Sequence, residues 1–369
     1  MQVINSFRKI ILLPFSLIYG SIILVRNYFY NNKMIHSTKF TFPVICIGNL
    51  STGGTGKTPH TNYLINLLKS EYNIAVLSRG YNRKTSGYIE LQTSSKAIEV
   101  GDEPLFYKWK HPNIKVAVCE DRVSGISQMA MNEEQEFVYL LDDAFQHRAI
   151  KAGLSIIITD YNKRYTQDFI LPSGNLREGK ASAKRADIIV VSKCPPLLSE
   201  KEKKEIIAEL SPEKYQVLVF STIKYQQIYT VLFDKPIVNE KTTDVLLVSG
   251  IAKPEPLEAY LESKFHNVYT RKFADHYNYK LEDIESIIRT FKNIASDNKI
   301  IITTEKDATR LFAFKELFIA EQINFYCIPI EVSFGNKEKI IFDKAIKHYL
   351  NITLSKIEES ISENILYDE

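Results

Sequence analysis

The chain has 369 residues, 45% of them hydrophobic, and a formal net charge of +3. That length points to two domains built on real cores, and the small charge gives no support for a nucleic-acid-binding surface. The four cysteines (Cys46, Cys119, Cys194, Cys327) are far apart and form no Cys-x-x-Cys pair, so they read as reduced cytosolic thiols rather than a zinc site or a disulfide framework.

Residues 1–36 stand apart. Ile10 to Val25 is nearly all apolar, with Pro14 and Gly20 inside it and Arg8, Lys9, Arg26 and Lys33 around it. No acidic residue precedes Glu71. The stretch is short of the roughly 20 residues of a spanning helix, and no small-residue cleavage site follows. With Tyr19, Tyr28, Phe29 and Tyr30 it reads as a helix in the membrane interface. A buried core helix, a true span and a signal segment are the alternatives.

Phe42–Ile47 is a short apolar run suited to a buried strand, and Tyr63, Leu64, Leu67 and Leu68 have the spacing of a helix. Between them lies Gly48-Asn-Leu-Ser-Thr-Gly-Gly-Thr-Gly-Lys-Thr-Pro59. A strand, a glycine-rich turn and a helix opening with Gly-Lys-Thr make a phosphate-binding loop. Ser51, Thr52, Gly53, Gly54, Thr55 and Gly56 would curl backbone N–H groups around an anion, at a helix N-terminus of partial positive charge. Lys57 would reach the β and γ phosphates, and the Thr58 hydroxyl would ligate Mg²⁺. The strict pattern wants glycine where this chain has Ser51.

Further β-rich runs follow at Asn73–Leu77, Ile114–Val118, Phe137–Leu141, Leu154–Thr159 and Asp187–Val191, with helices between several of them, for example Pro104–Lys110 and Arg122–Met131. Such alternation predicts a mostly parallel sheet covered on both faces, with ligands beyond the carboxyl ends of the strands. Two acidic motifs fall there. The apolar run from Glu136 ends in Asp142 and Asp143, the shape of a Walker B element that holds Mg²⁺; a turn-capping aspartate is the plainer alternative. Gly101-Asp102-Glu103-Pro104 opens a helix, where either acid suits capping; in a kinase one carboxylate would take a proton from an acceptor hydroxyl. Arg177, in a Pro/Gly loop, suits charge stabilisation in phosphoryl transfer or a plain surface position. Ser192-Lys193-Cys194-Pro195 lacks the aspartate that reads guanine, which favours ATP as the donor.

Lys201–Lys204 is a solvated helix face. Val217–Ile223 and Gln227–Phe233 read as a hairpin-like linker over 217–239. A second alternation then gives a smaller α/β lobe over 240–350: strands at Val245–Val248, Lys299–Thr303 and Phe325–Ile330, and helices from Glu255 and Lys337. Residues 351–369 read as a frayed polar tail. Phe273-Ala-Asp-His276 and Thr304-Glu-Lys-Asp307 are the motifs of that lobe; a loop histidine needs no catalytic explanation. The expected architecture is thus α/β: a P-loop (RecA-like), mostly parallel core over 37–216 and a smaller second lobe.

Together these motifs resemble the tetraacyldisaccharide 4′-kinase (LpxK) family. The matching pieces are residues 47–59, Leu77-Ser-Arg-Gly-Tyr81, Gly101–Pro104, Glu120-Asp-Arg122, Leu141-Asp-Asp-Ala-Phe-Gln-His147, Leu171-Pro-Ser-Gly-Asn-Leu-Arg-Glu178, Phe273–His276 and Thr304–Asp307, in family order over most of the chain. The family shares the non-glycine at position 51, while Ala144 and Asn82 are mild departures. The resemblance implies transfer of the ATP γ-phosphate, with Mg²⁺, to the 4′-hydroxyl of an acylated glucosamine disaccharide 1-phosphate at the cytoplasmic face of the inner membrane. It implies Asp102 as general base helped by His276, Lys57 and Arg177 as stabilisers of phosphoryl charge, and Thr58, Asp142, Asp143 and Glu103 on the Mg²⁺ side. Two alternatives stay open: a P-loop kinase or ligase acting on a soluble metabolite, indifferent to loss of residues 1–36, and a non-catalytic nucleotide-binding adaptor.

Overall fold

A computed structural model describes residues 2–131, 135–233 and 239–367. In chain order the strands are β1 (Val44–Gly48), β2 (Asn73–Ser78), β3 (Ile89–Glu90), β4 (Lys115–Val118), β5 (Phe137–Asp142), β6 (Leu154–Asp160), β7 (Ile188–Ser192) and β8 (Val217–Tyr225). They continue with β9 (Tyr229–Thr230), β10 (Asp244–Ser249), β11 (Asn267–Lys272), β12 (Lys299–Thr304), β13 (Phe325–Ile328) and β14 (Ile330–Phe334).

Among the described residues these strands form a nine-stranded sheet, in the order β14-β8-β7-β6-β1-β5-β2-β4-β3, and a five-stranded sheet, β11-β10-β12-β13-β9. Pairing is parallel except at the edges, where β3, β14 and β9 run antiparallel to their neighbours. The central strands β1 and β7 are buried along their whole length and β5 at all but its first residue, as expected where helices cover both faces and the runs are rich in Val, Ile and Leu. One face of the large sheet packs Leu64, Leu68, Leu105 and Tyr107 with Phe342, Ile346 and Leu350. The other packs Ile126, Met129, Ile206 and Leu210. The smaller sheet has its own core on each face.

This winding puts the carboxyl ends of β1, β2, β4, β5, β6 and β7 along one edge. The motifs that follow them therefore converge although they are far apart in sequence.

Three expectations need correction. The runs Val217–Ile223 and Gln227–Phe233 do not form a hairpin with each other: β8 joins the large sheet beside β7 and β14, and β9 joins the small sheet beside β13. The connector is two-stranded, but its second strand is β13–β14, with Gln226 N donating to Pro329 O at 2.9 Å where the two crossings pass. Short β runs close in sequence read as a hairpin; a partner distant in sequence leaves no local signal. Residues 234–238 of that linker lie outside the described residues.

Second, the smaller lobe ends near Ile328 rather than at 350. Pro329 breaks the apolar run, and β14 returns to the edge of the large sheet. Third, residues 351–367 are not a frayed tail but part of a continuous helix, Asn336–Tyr367. A polar composition does not oppose a helix, because Leu, Lys and Glu keep the helix propensity high. The N-terminal helix likewise runs further than its apolar stretch, over Gln2–Asn31. Its segment Ile11–Asn31, 21 residues, is long and apolar enough to cross a membrane by length and composition, and 17% of its best window is buried against the protein.

Candidate active site

The loop after β1 is built as an anion cradle. Gly53 (φ 101°) and Gly56 (φ 98°) take left-handed conformations that side chains rarely adopt, and Gly56 opens the helix Lys57–Leu68. The loop is fastened from outside. Ser192 Oγ donates to Thr55 O at 2.6 Å, Asn49 Nδ2 to Thr55 Oγ1 at 2.8 Å, and Lys193 Nζ to Gly54 O. On the opposite flank Ser51 bridges to Leu176, and Thr52 N donates to Asn175 O at 2.7 Å. Ser51 is itself buried, so the departure from glycine supplies a packed contact and leaves the left-handed turns to Gly53 and Gly56.

Beside the cradle stand three carboxylates. Asp142, at the tip of β5, is fully buried and accepts from Thr61 Oγ1 (3.3 Å) and Tyr107 OH (3.0 Å). Burial, then the charges of Glu103 and Asp143, push its carboxyl up to about 7. Asp143 is gripped by both ends of the Arg177 guanidinium, at 2.9 and 3.1 Å, and lies 3.6 Å from Lys57 Nζ. Burial alone would raise its carboxyl, but Lys57 and Arg177 hold it below the ordinary range. Glu103 accepts from Thr58 Oγ1 at 3.0 Å and is ion-paired to Lys306. Burial opposes its charge and Lys306 outweighs burial.

The residues fit a magnesium nucleotide. Asp142 is buried beside two further carboxylates, Glu103 and Asp143, so burial and like charge both oppose its ionisation, and a cation placed among them would relieve both. Among the described residues no three His, Cys, Asp or Glu side chains form a metal cluster; the oxygen donors beside the loop are the Thr58 hydroxyl and the carboxylates of Glu103, Asp142 and Asp143, the ligand type Mg²⁺ takes alongside phosphate oxygens and water.

The second lobe closes the site from above. Gly101 (φ 92°, with a notional Cβ 3.2 Å from Gly80 Cα and from Tyr81 O) turns the chain into the helix Asp102–Lys110, so Asp102 and Glu103 sit on its first turn. His276, held at φ 55° by its N–H bond to Gly250 O, places Nδ1 3.0 Å from Asp102 Oδ2. Arg310 Nη1 reaches the same oxygen at 3.3 Å. Burial opposes the Asp102 charge, but His276, Lys306 and Arg310 together bring the carboxyl down to about 2. The hydrogen bond to Asp102 in turn raises His276 above the ordinary histidine range, against its own burial. Two acids from the first lobe, Asp102 and Glu103, thus meet three cations from the second.

The structure brings together every residue singled out above: the 51–58 loop, Asp142, Asp143, Arg177, Asp102, Glu103 and His276. In Thr304–Asp307 the Thr304 hydroxyl caps the helix Glu305–Leu311 by accepting from Asp307 N, while Lys306 reaches across to Glu103. Sequence reasoning missed Arg310, whose signal is its place four residues after Lys306 on the same helix face. It also missed Tyr107, whose hydroxyl fixes Asp142.

A glycine-rich loop between a central strand and its helix, with an acid-tipped strand alongside, makes this a P-loop kinase fold. The comparisons narrow the class. The family model for Tetraacyldisaccharide-1-P 4′-kinase (LpxK) matches residues 8–350. The chain is 42% identical over 351 residues to the tetraacyldisaccharide 4′-kinase of Parabacteroides distasonis, covering 93% of this chain and 95% of that one. It is 42% identical to that of Flavobacterium johnsoniae, covering 95% and 99%. The crystal structure of LpxK from Aquifex aeolicus in complex with ATP superposes with a TM-score of 0.71 at 27% identity, covering 93% of this chain and 99% of that one. The chain belongs to the tetraacyldisaccharide 4′-kinase family.

Proposed function

We propose that this protein is an ATP-dependent kinase that phosphorylates the 4′-hydroxyl of a tetraacyldisaccharide 1-phosphate, a step of lipid A biosynthesis. The observation that carries the reading is the Asp102–His276 pair, assembled from two lobes directly above a phosphate-binding loop. Phosphoryl transfer asks for positioning and charge stabilisation rather than covalent work, and the site is organised for both.

In this reading the amides of residues 51–58 cradle the β and γ phosphates and Lys57 bridges them. Thr58, Asp142, Asp143 and Glu103 would hold Mg²⁺, which supplies neutralisation of phosphate charge. Arg177, already aimed at the site by Asp143, meets the charge that develops on the transferred group. Asp102 accepts the proton of the 4′-hydroxyl as that oxygen bonds to the γ phosphorus and ADP departs. His276, Lys306 and Arg310 keep Asp102 ionised, so it is ready to accept a proton. Closure of two lobes limits wasteful hydrolysis.

The acceptor carries acyl chains, each CH₂ of which costs about 0.8 kcal/mol to expose, so the enzyme must work at a bilayer. The N-terminal helix supports that reading because its polarity is reversed. Ser16, Gly20 and Asn27 face the protein, while Phe15, Ile18, Ile22, Val25 and Phe29 face outward. An outward apolar stripe of this kind fits lipid. Use of ATP as the donor supports a position on the cytoplasmic face of the inner membrane.

The test is ADP release by the purified chain with Mg²⁺ and ATP, in mixed micelles with and without the tetraacyldisaccharide 1-phosphate. Release that requires the lipid supports the reading. Release that is equal without it, or equal with a soluble amino sugar, contradicts it.

A further inference from the structure

The N-terminal helix docks on two segments of the protein, residues 146–148 through Arg26, Asn27 and Tyr30, and residues 168–178, a segment that forms the outer wall of the phosphate-binding loop. Its inner edge is bonded to the cradle: Arg177 N donates to Leu50 O and Thr52 N donates to Asn175 O, both at 2.7 Å, and Leu176 bridges to Ser51. Its outer edge is bonded to the helix. Ser16 Oγ donates to Ile170 O (3.0 Å) and accepts from Ser173 N (2.8 Å), and Tyr19 OH donates to Arg177 O (3.1 Å). Glu178, with no exposed surface, accepts from Arg26 Nη2 (3.1 Å) and Asn27 Nδ2 (3.3 Å) of the helix and from Arg185 Nη2 (2.8 Å).

The chain of contacts is therefore short: helix, strap, then on one side the amides of the loop and on the other Arg177 and Asp143. Two adjacent residues carry it. Arg177 points its guanidinium into the site, and Glu178 points its carboxylate into the helix. The helix joins the protein through polar bonds on one face and offers an apolar face to the outside. In water the half-buried members of that face, Tyr19 and Arg26, meet solvent and the apolar stripe is left exposed. At a bilayer the stripe is buried and the docking bonds lie in a drier, lower-dielectric setting, where they are stronger. Lipid thus binds the docked helix in preference to a loosened one, and a ligand with unequal affinity for two states shifts their populations.

We propose that seating of the N-terminal helix on a lipid surface tightens nucleotide binding through the 168–178 strap, with Ser16, Tyr19 and Asn27 as positioning residues. Membrane contact then prepares the phosphate site as well as bringing the enzyme to its acceptor. This rests on the reading of the loop as an ATP site, given above.

The experiment is equilibrium dialysis of ATP with the full chain and Mg²⁺, without acceptor. It is run with and without vesicles of phosphatidylethanolamine and phosphatidylglycerol. For the native chain, vesicles should lower the ATP dissociation constant by about fivefold or more, the range of ordinary site-to-site coupling. By reciprocity, MgATP should raise vesicle affinity by the same factor in flotation. Tyr19→Phe deletes one hydroxyl from the outer edge of the strap, and Asn27→Ala provides a second variant should the first be poorly folded. Either should float with vesicles and bind ATP, yet lose most of the vesicle-induced gain. ATP affinity that ignores vesicles while the native chain floats, or a gain kept in full by both variants, overturns the coupling alone. No ATP binding under any condition overturns the kinase reading and the coupling with it.

Discussion

The two lobes contribute to the site in opposite currencies. The P-loop lobe supplies a preformed cradle and an excess of carboxylates (Asp102, Glu103, Asp142, Asp143). The second lobe supplies cations on the tips of its own strands, His276 after β11 and Lys306 and Arg310 after β12. The cradle is fixed by local geometry, in the left-handed glycines and the bonds that fasten them. The cationic side reaches the site only across the contact between lobes. Binding can therefore be a property of one lobe while catalysis belongs to the seam between them.

The variants that separate these two properties run from strong to mild. Asp102→Ala removes the seam's acceptor group and leaves the cradle untouched. Turnover should fall by about 10²–10⁴-fold, the usual worth of a general base, with ATP affinity near native by dialysis. Equal turnover would remove the base assignment, and loss of ATP binding would erase the division between lobes.

Arg310→Met leaves Asp307, a fully buried carboxylate that also accepts from Gly250 N and Tyr279 OH, without its ion-pair partner. Breaking such a pair costs about 3–5 kcal/mol, so urea denaturation should show a destabilised second lobe. An unchanged midpoint would mean that the pair does not hold the second lobe together.

Arg177→Lys keeps the charge but loses the two-pronged grip on Asp143. About a 10²-fold drop in kcat is expected, comparable to losing one fixed donor to developing charge. A change confined to KM would move Arg177 from the transition state to simple binding.

The mildest test is pH. Because the folded-state pKa of His276 is raised, its stabilisation of the seam is fully present below about pH 6.5 and is lost as pH climbs through the raised value. The melting-temperature difference between the native chain and His276→Ala should be larger at pH 6 than at pH 9. A gap that grows with pH contradicts the assignment of charge.

How much of this was legible in the sequence follows the same division. The cradle, the acid-tipped β5 and most strands are local patterns of one turn or one strand, so their residues announce them. Asp102 and His276 were named, but their meeting depends on β11 delivering a loop to the top of the first lobe, which no local spacing encodes. Arg310 went unseen because an arginine on a helix is ordinary until its partner across the seam is known. The connector failed for a related reason: β8 and β9 each pair with strands about a hundred residues away. The polar C-terminal helix was mistaken for a tail because low hydrophobicity reports exposure, and only packing by Phe342, Ile346 and Leu350 shows where that helix is anchored.

The most direct test of the central claim is the position of the new phosphate. The product formed from ATP and the tetraacyldisaccharide 1-phosphate should be isolated and read by phosphorus and proton magnetic resonance. A new phosphomonoester on the 4′ carbon of the distal sugar is the predicted result. Phosphate added to the existing 1-phosphate, or ATP consumed with the lipid unchanged, would contradict it.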